Sequence, residues 1–280
     1  MNGIDISRWN KIDLNNVPCE FVIVKATQGT KYVSPEYDTQ IAQADSLNKY
    51  LGIYHYAGGG GATEEAEHFI KVAKPYIGRA ILVLDWEGEQ NPNFSNPLYA
   101  LAWLAYVKQH TGITPFIYMS KSVCRQYAKQ WDNSYPLWCA QYKNQQPTGY
   151  QDNPWTDSKG FGAWDSCKIL QYSSKGQLPG YNGYLDLDKS YMASGEWLAW
   201  AQGDMVPNAM DKHPTLRKGD RNEYVRSWQT YLNANGYDVG KAGADGIFGD
   251  DTEKAVVRYQ QDHNIEAGII GELTWATLPF

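Results

Sequence analysis

Two carboxylates separated by one residue end an apolar, β-branched run of the sequence. Asp85 and Glu87 follow residues 81–84, a run that predicts a buried strand. Alternate side chains of a strand face the same way, so both carboxyl groups would share one face, with Cα atoms about 6.5 Å apart. Two carboxyl groups at that range suit hydrolysis of a glycosidic bond, in which one acid protonates the leaving oxygen and the other stabilises the developing cation.

Crowding would also tune these groups. Carboxylates that lie close together and are partly desolvated raise a pKa, which a general acid needs near neutral pH. The alternative is that Asp85 and Glu87 are solvated residues at the end of a strand.

The elements around this pair predict an α/β fold. Eight short apolar runs predict strands, at residues 3–7, 21–27, 51–57, 80–87, 115–120, 137–142, 168–173 and 184–188. Amphipathic stretches between them predict helices, at residues 35–50, 63–76, 96–111 and 121–131. Repeated β-then-α order predicts parallel strands, and eight of them favour a closed, TIM-like (β/α) barrel. Residues 143–167 are polar and show no helical period, so we expect incomplete helices in the second half.

Polar side chains recur at the carboxyl ends of these strands. Besides Asp85 and Glu87, they are Asp5, Ser7, Tyr54, His55, Tyr56, Tyr118, Gln141, Gln171, Asp186 and Asp188. The active site of a parallel barrel lies at that face. Carboxylates on the first, fourth and eighth strands form a constellation, because the first and eighth strands are neighbours in a closed barrel. Asp5, Asp186 and Asp188 could each instead be capping or turn residues.

After residue 202 the alternation of predicted strands and helices stops, and only helical patterns follow. We assign residues 1–202 to a catalytic barrel, 203–214 to a linker and 215–280 to a small helical domain. Val225, Trp228 and Leu232 recur at helical intervals in that domain. Residues 250–253 have the sequence of a capping box that opens a second helix.

The first 200 residues resemble glycoside hydrolase family 25, the lysozymes of phage endolysins and bacterial autolysins. The matching motifs occur in order: Gly3-Ile4-Asp5-Ile6-Ser7, Phe21-Val22-Ile23-Val24-Lys25-Ala26-Thr27, Gly52-Ile53-Tyr54-His55-Tyr56, Leu84-Asp85-Trp86-Glu87, Ile117-Tyr118, Leu137-Trp138, Gln171-Tyr172 and Gly183-Tyr184-Leu185-Asp186-Leu187-Asp188. The sequence departs from the family at Gln28, where members often carry an acid, and in the run of glycines at 58–61.

The resemblance implies roles for the carboxylates. Glu87 would be the general acid, Asp85 would support the cationic transition state, and Asp5 and Asp186 would organise the acidic cleft. Attack by the substrate's own N-acetyl group and direct attack by Asp85 both remain open.

The resemblance also suggests groups that contact the sugar. We expect these to be Tyr54, Tyr56, Tyr118, Trp138, Gln171 and Asp188.

The tail resembles a three-helix peptidoglycan-binding module. The residues that carry this likeness are Leu216-Arg217-Lys218-Gly219-Asp220, Asp245-Gly246-Ile247-Phe248-Gly249 and Gly271-Glu272-Leu273-Thr274-Trp275. Such a module would tether the enzyme to the wall and raise the local substrate concentration. A plain stabilising bundle is the alternative.

Composition argues against several other classes of protein. The net charge of −6 argues against a nucleic-acid partner, and no apolar run approaches the length that spans a membrane. Four scattered cysteines and five histidines show no ligand spacing, so we expect no metal, no cofactor and buried free thiols. The sequence does not define an oligomeric state.

We therefore expect an N-acetylmuramidase that cuts the β-1,4 bond between N-acetylmuramic acid and N-acetylglucosamine in bacterial peptidoglycan. The alternatives are a wall-glycan-binding barrel without activity, an N-acetylglucosaminidase and, least favoured, an amidase. A chitinase-like barrel would need a further aspartate where Val83 stands. Met1 runs directly into the first strand, so we expect synthesis in a host cytoplasm and release through a holin pore, or secretion if a signal was trimmed.

Overall fold

The computed structural model describes residues 1–203, 215–263, 265, 267–275 and 277. The chain forms two compact units, residues 1–205 and 206–280. Residues 204–214 of the predicted linker lie outside the described residues. Within the described part of the chain, no helix is long and apolar enough to cross a membrane.

Eight strands of the first unit close into a barrel, as predicted. Around the barrel the strands are β1 (Asn2–Ile6), β2 (Phe21–Gln28), β4 (Tyr50–Tyr56), β5 (Ala80–Asp85), β6 (Phe116–Ser120), β7 (Leu137–Ala140), β8 (Ile169–Gly176) and β9 (Leu185–Ser190), and β1 pairs with both β2 and β9. A two-residue strand that the sequence did not predict, β3 (Tyr32–Val33), pairs with the end of β2.

The prediction that all strands are parallel was wrong for the last one. β9 runs antiparallel to both β8 and β1. Residues 177–184 alone connect β8 to β9 and contain no helix, whereas a parallel crossover needs a dozen or more residues. The first half of β9, not its end, therefore lies at the carboxyl end of the other strands.

Helices cover the outside of the barrel unevenly. The four predicted helices are present as α1 (Tyr37–Ser46), α2 (Ala62–Ala73, followed by a 3₁₀ turn at Lys74–Tyr76), α3 (Pro97–Thr111) and a short α4 (Lys121–Gln126). No helix occurs in residues 143–167, all of which are described, as the sequence indicated. A fifth helix, α5 (Ser194–Gln202), was not predicted.

The helix α5 closes the amino end of the barrel. Its Trp197 is fully buried, lies 4.8 Å from the ring of Phe21 and donates from Nε1 to the carbonyl oxygen of Leu51 at 3.2 Å. Apolar side chains fill the interior above it: Ile23, Ile81, Val83, Phe116 and Ile169. Gly3 fits there only because it lacks a side chain, since a Cβ atom would lie 2.4 Å from the ring of Phe21.

A buried lysine fixes the helix-free segment. Lys121 donates from Nζ to Thr156 Oγ1 at 2.7 Å and to the carbonyl oxygen of Asp157 at 2.8 Å, and its Nζ lies 2.9 Å from the Asp157 carboxylate. The same ammonium group lies 4.2 Å from the centre of the Phe161 ring. Side-chain contacts thus replace the missing helix as the support of this part of the barrel.

The second unit is helical and has its own core. Its helices are α6 (Glu223–Ala234), α7 (Asp250–Asp262) and α8 (Glu272–Trp275). Trp228 is buried at the centre, with its ring 5.4 Å from that of Tyr259. The predicted capping box is not formed, because Gly249 is the N-cap of α7 and has no side chain to accept a hydrogen bond.

Candidate active site

Strand alternation and register bring the predicted carboxylates to the mouth of the barrel. Asp85 is the last residue of β5 and lies in register with Tyr56 and Tyr118 of the two neighbouring strands. Asp5 of β1 lies opposite Asp186 of β9. Because β9 is antiparallel, Asp186 reaches this end from the start of its strand.

The backbone around Asp85 keeps the alternation that the sequence predicted. The Asp85 carbonyl accepts from the N–H of Ala57 at 3.0 Å, and the N–H of Trp86 donates to the carbonyl of Tyr118 at 2.9 Å. The Trp86 side chain is fully buried, with its ring stacked 5.9 Å from that of Tyr99 on the outside of the barrel. Trp86 thus faces outward, which places Asp85 and Glu87 on the inner side.

Asp85 and Glu87 have different surroundings. Asp85 is 7% exposed, and its Oδ1 atom has no hydrogen-bond partner among the described residues. Glu87 is partly exposed. Burial and the charge of Glu87 hold the pKa of Asp85 well above its usual range. Burial, with a further contribution from Glu89, raises the pKa of Glu87. The pair therefore keeps a proton at a pH where isolated carboxyl groups have lost theirs.

A lysine that the sequence analysis assigned no role shares this site. Lys25 lies on β2, and its Nζ atom is 4.4 Å from the centre of the Tyr56 ring. Burial lowers the pKa of Lys25, and the charge of Asp85 opposes that change more strongly than the charge of Glu87 does. The ammonium group therefore favours the ionised form of Asp85 over that of Glu87.

A chain of hydrogen bonds from Tyr118 through Gln171 positions the carboxyl group of Asp5. Tyr118 donates to Gln171 Oε1 at 2.8 Å, and Gln171 Nε2 donates to Asp5 Oδ2 at 2.6 Å. Burial raises the pKa of Asp5 well above its usual range, and the charge of Asp188 raises it further. Trp138 Nε1 donates to Asp188 Oδ1 at 2.9 Å. Asp5 and Asp188 are therefore two buried carboxyl groups, and the charge of Asp188 disfavours ionisation of Asp5.

Asp186 completes the acidic mouth. Burial, together with the charges of Asp5 and Glu87, raises the pKa of Asp186 to about 8. Tyr142, which sequence reasoning missed, faces the same carboxylates and has its own pKa raised mainly by burial. Tyr142 ends the run that predicted a strand at 137–142, where alternation puts it on the same face as Trp138, although β7 itself ends at Ala140.

The groups predicted to contact sugar lie at two depths. Trp138 is 2% exposed and Asp188 is fully buried, which favours support of the carboxylates over stacking against a sugar ring. Tyr54 and Tyr118 are 8% and 7% exposed, and Gln171 is 4% exposed. Tyr56 is more open, and its hydroxyl group donates to the Glu89 carbonyl at 2.7 Å. Direct contact between these groups and substrate stays a prediction.

The glycine run beside the mouth is fixed by a buried histidine and glutamate. His55 Nδ1 lies 2.8 Å from Thr27 Oγ1, and its Nε2 lies 2.9 Å from Glu65 Oε2. The same carboxylate accepts the N–H of Gly58 at 3.0 Å and the N–H of Gly60 at 2.8 Å. His55 faces outward from the barrel, so it positions this loop and does not belong to the acidic mouth.

A closed barrel with a pair of carboxyl groups of raised pKa at its mouth is typical of a glycoside hydrolase site. The chain belongs to the glycosyl hydrolases family 25, whose sequence profile matches residues 4–181. It is therefore a glycoside hydrolase. Residues 221–278 match a putative peptidoglycan binding domain.

Two curated proteins and one crystal structure illustrate what the chain is similar to. The protein YegX of Escherichia coli K12, itself uncharacterised, is 28% identical over 201 residues, which cover 67% of this chain and 68% of YegX. An autolytic lysozyme of Clostridium acetobutylicum is 25% identical over 264 residues, which cover 93% of this chain and 72% of that protein. The crystal structure of a bacterial lysozyme from Streptomyces coelicolor shares the fold, with a TM-score of 0.60 and 22% identity over 72% of this chain and 97% of the lysozyme.

Proposed function

We propose that the protein is an N-acetylmuramidase of the endolysin or autolysin type, which hydrolyses the β-1,4 bond between N-acetylmuramic acid and N-acetylglucosamine in bacterial peptidoglycan. The observation that carries this proposal is the pair Asp85 and Glu87, held together at the barrel mouth with a raised pKa on Glu87. The match of the second unit to a peptidoglycan-binding domain supports the same substrate.

Glu87 acts first as the general acid. It is the more exposed acid of the pair, so it can reach a leaving oxygen, and its raised pKa keeps the proton available. After the bond breaks, the carboxylate takes a proton from the incoming water, which returns Glu87 to its starting form.

Asp85 stabilises the positive charge that develops on the sugar. Lys25 favours its ionised form, and its unpaired Oδ1 atom can approach the reacting carbon or orient an N-acetyl group of the substrate. Both routes need an anionic Asp85. The pair Asp5 and Asp188, with Asp186, supplies the field around the reacting centre.

A barrel that binds glycan without cutting it is the second candidate, and an N-acetylglucosaminidase or an amidase is a weaker one. The retained acids at the mouth argue against a binding protein. Activity on purified cell wall separates the two, because a binding protein would release no sugar ends. Substitution of Glu87 then tests its role, because Gln is nearly isosteric with Glu but cannot donate the proton.

We expect Glu87→Gln to lower the rate of release of reducing ends from purified peptidoglycan by roughly 10²–10⁴-fold. Circular dichroism and pelleting with cell walls should remain as in the wild type. Glu64→Gln, the same substitution at an exposed position on α2, is the control and should keep full activity. A wild-type rate in Glu87→Gln would contradict the assignment.

A further inference from the structure

A cleft of about 810 Å³ opens beside the acidic mouth. The three residues after β1, the turn between β2 and β3, and the loop that follows Glu87 contribute to its walls. Lys25 and Tyr56 line the cleft and also face the catalytic carboxylates, so the two regions are continuous. A glycan whose scissile bond lies at the mouth would place a neighbouring part in this cleft.

The charge of the cleft is opposite to that of the mouth. Three cations line it, Arg8, Lys25 and Lys31, against one acidic residue, Glu89. The chain as a whole carries a net charge of −6, so a cluster of three cations differs in sign from the overall charge of the protein. The charge of Arg8 lowers the pKa of Lys25, which shows that the two cations lie close enough to repel each other. An anionic ligand would relieve that repulsion.

The Arg8 guanidinium is held by aromatic rings. It lies 4.4 Å from the centre of the Trp9 ring and 5.8 Å from that of Tyr32. Trp9 is 77% exposed, the most exposed of the large apolar side chains described. A guanidinium oriented by rings presents its N–H groups with little loss of side-chain freedom, and its geometry matches a carboxylate. The exposed part of Trp9 offers an adjacent surface for a sugar ring.

Gln28 adds no negative charge beside Lys25. Its Oε1 accepts from Lys25 Nζ at 2.9 Å, and its Nε2 donates to Gln90 Oε1 at 3.0 Å. A glutamate at this position would accept from Lys25 but could not donate to Gln90, and it would neutralise the ammonium group. The neutral amide orders the floor of the cleft and preserves its positive charge.

We propose that this cationic cleft binds a carboxylate that the glycan carries next to the scissile bond, with Arg8 and Lys31 as the residues that determine this specificity. The inference rests on the proposed muramidase function. Two sources share the chemistry, namely the lactyl carboxylate of muramic acid and a carboxylate of the peptide attached to it. N-acetylglucosamine oligomers carry neither.

Three substrates and a double variant test the proposal. The substrates are soluble peptide-bearing glycan chains, the same chains with their carboxylates converted to amides, and chains from which the peptide has been removed to leave the lactyl carboxylate free. The variant is Arg8→Gln/Lys31→Gln. The control is Lys71→Gln/Lys108→Gln, which removes the same charge from exposed positions on α2 and α3. The readout is kcat/KM from released reducing ends.

We expect wild-type protein and the control to lose about tenfold in kcat/KM when the carboxylates are amidated, and the variant to lose little. On the native chains the variant should fall to the level that the wild type reaches on amidated chains. In peptide-bearing chains the lactyl carboxyl group is held in an amide, so a loss on amidation of those chains identifies a peptide carboxylate. A difference between wild type and variant that is confined to peptide-free chains identifies the lactyl group.

A variant that matches the wild type on native, amidated and peptide-free chains would overturn the inference. So would a variant whose kcat/KM falls by the same factor on all three substrates. Failure of the proposed function has a different signature, because wild-type protein would then release no reducing ends from any of them. Gln28→Glu gives an independent check, since an acid beside Lys25 should reduce the preference for carboxylate-bearing chains.

Discussion

Five carboxyl groups share the mouth of the barrel with one lysine. The carboxyl groups belong to Asp5, Asp85, Glu87, Asp186 and Asp188. Burial raises the pKa of every one of them, and repulsion by another member of the cluster adds to this for all but Glu87, so these groups keep protons to a higher pH than isolated carboxyl groups do. A general acid needs a carboxyl group that keeps its proton in this way. The raised pKa values also make both activity and stability depend on pH.

Activity should respond to Glu89. The charge of Glu89 raises the pKa of Glu87, so the rate should fall at a lower pH once that charge is removed. We expect Glu89→Gln to move the alkaline limb of the kcat/KM profile down by about half a pH unit to one unit, with the acid limb nearly unchanged. Profiles measured against Glu64→Gln check this, and an unmoved alkaline limb would show that Glu87 is not the group that sets it.

Stability should respond to Asp186. Its pKa of about 8 in the folded protein exceeds the ordinary aspartate value, so the folded state binds the proton more tightly than the unfolded state does. The contribution of Asp186 to stability is therefore full below about pH 4 and is lost as pH rises toward 8. We expect Asp186→Asn to reduce the loss of barrel stability between pH 5 and pH 8 by an amount on the order of a few kcal/mol.

Denaturant titrations at the two pH values provide that measurement. Asp165→Asn, at an exposed position, is the matched control and should follow the wild type. An identical pH dependence in Asp186→Asn and the wild type would mean that Asp186 ionises freely in the folded protein.

Residue spacing predicted some of these groups and missed others. Asp85 and Glu87 are neighbours along one strand, so local alternation alone placed them together. Lys25 could have been found in the same way, because Phe21 and Ile23 on the same face of β2 point into the barrel. The approach of Asp188 to Asp5 could not, since it depends on the register between β1 and an antiparallel β9.

At the scale of elements, sequence periodicity predicted the closed barrel. It did not predict the direction of the last strand, β9, or the helix α5 that covers the amino end of the barrel. The direction of β9 depends on the length of a connection, and α5 depends on what fills the amino end of the barrel. Trp197 is fully buried there, so its loss leaves a large cavity. We expect Trp197→Ala to lower the free energy of unfolding of the barrel by about 3–5 kcal/mol.

Leu198→Ala provides the comparison on the same helix. Leu198 is 43% exposed, so its removal should change stability by no more than about 0.5 kcal/mol. Thermal or urea unfolding measures both. Equal effects of the two substitutions would show that α5 does not close the barrel.

At the scale of the whole molecule, the chain has two units, and each has its own hydrophobic core. The catalytic groups all lie in the first unit, and Trp228 is buried in the core of the second. We expect Trp228→Ala to disrupt the second unit while activity on soluble glycan fragments stays near the wild-type level. Binding to sedimented cell walls should weaken by roughly 10²-fold, because the second attachment is lost. Unchanged wall binding by a variant with an unfolded second unit would contradict a tethering role.

The most direct test of the muramidase assignment identifies the sugar at the new chain end. Purified peptidoglycan is digested, reduced with borohydride and analysed by mass spectrometry. The assignment predicts reduced muramic acid at the new ends with wild-type protein and almost none with Glu87→Gln. Reduced glucosamine ends would move the cleavage to the other glycosidic bond, and new amino groups without new reducing ends would contradict hydrolysis of the glycan altogether.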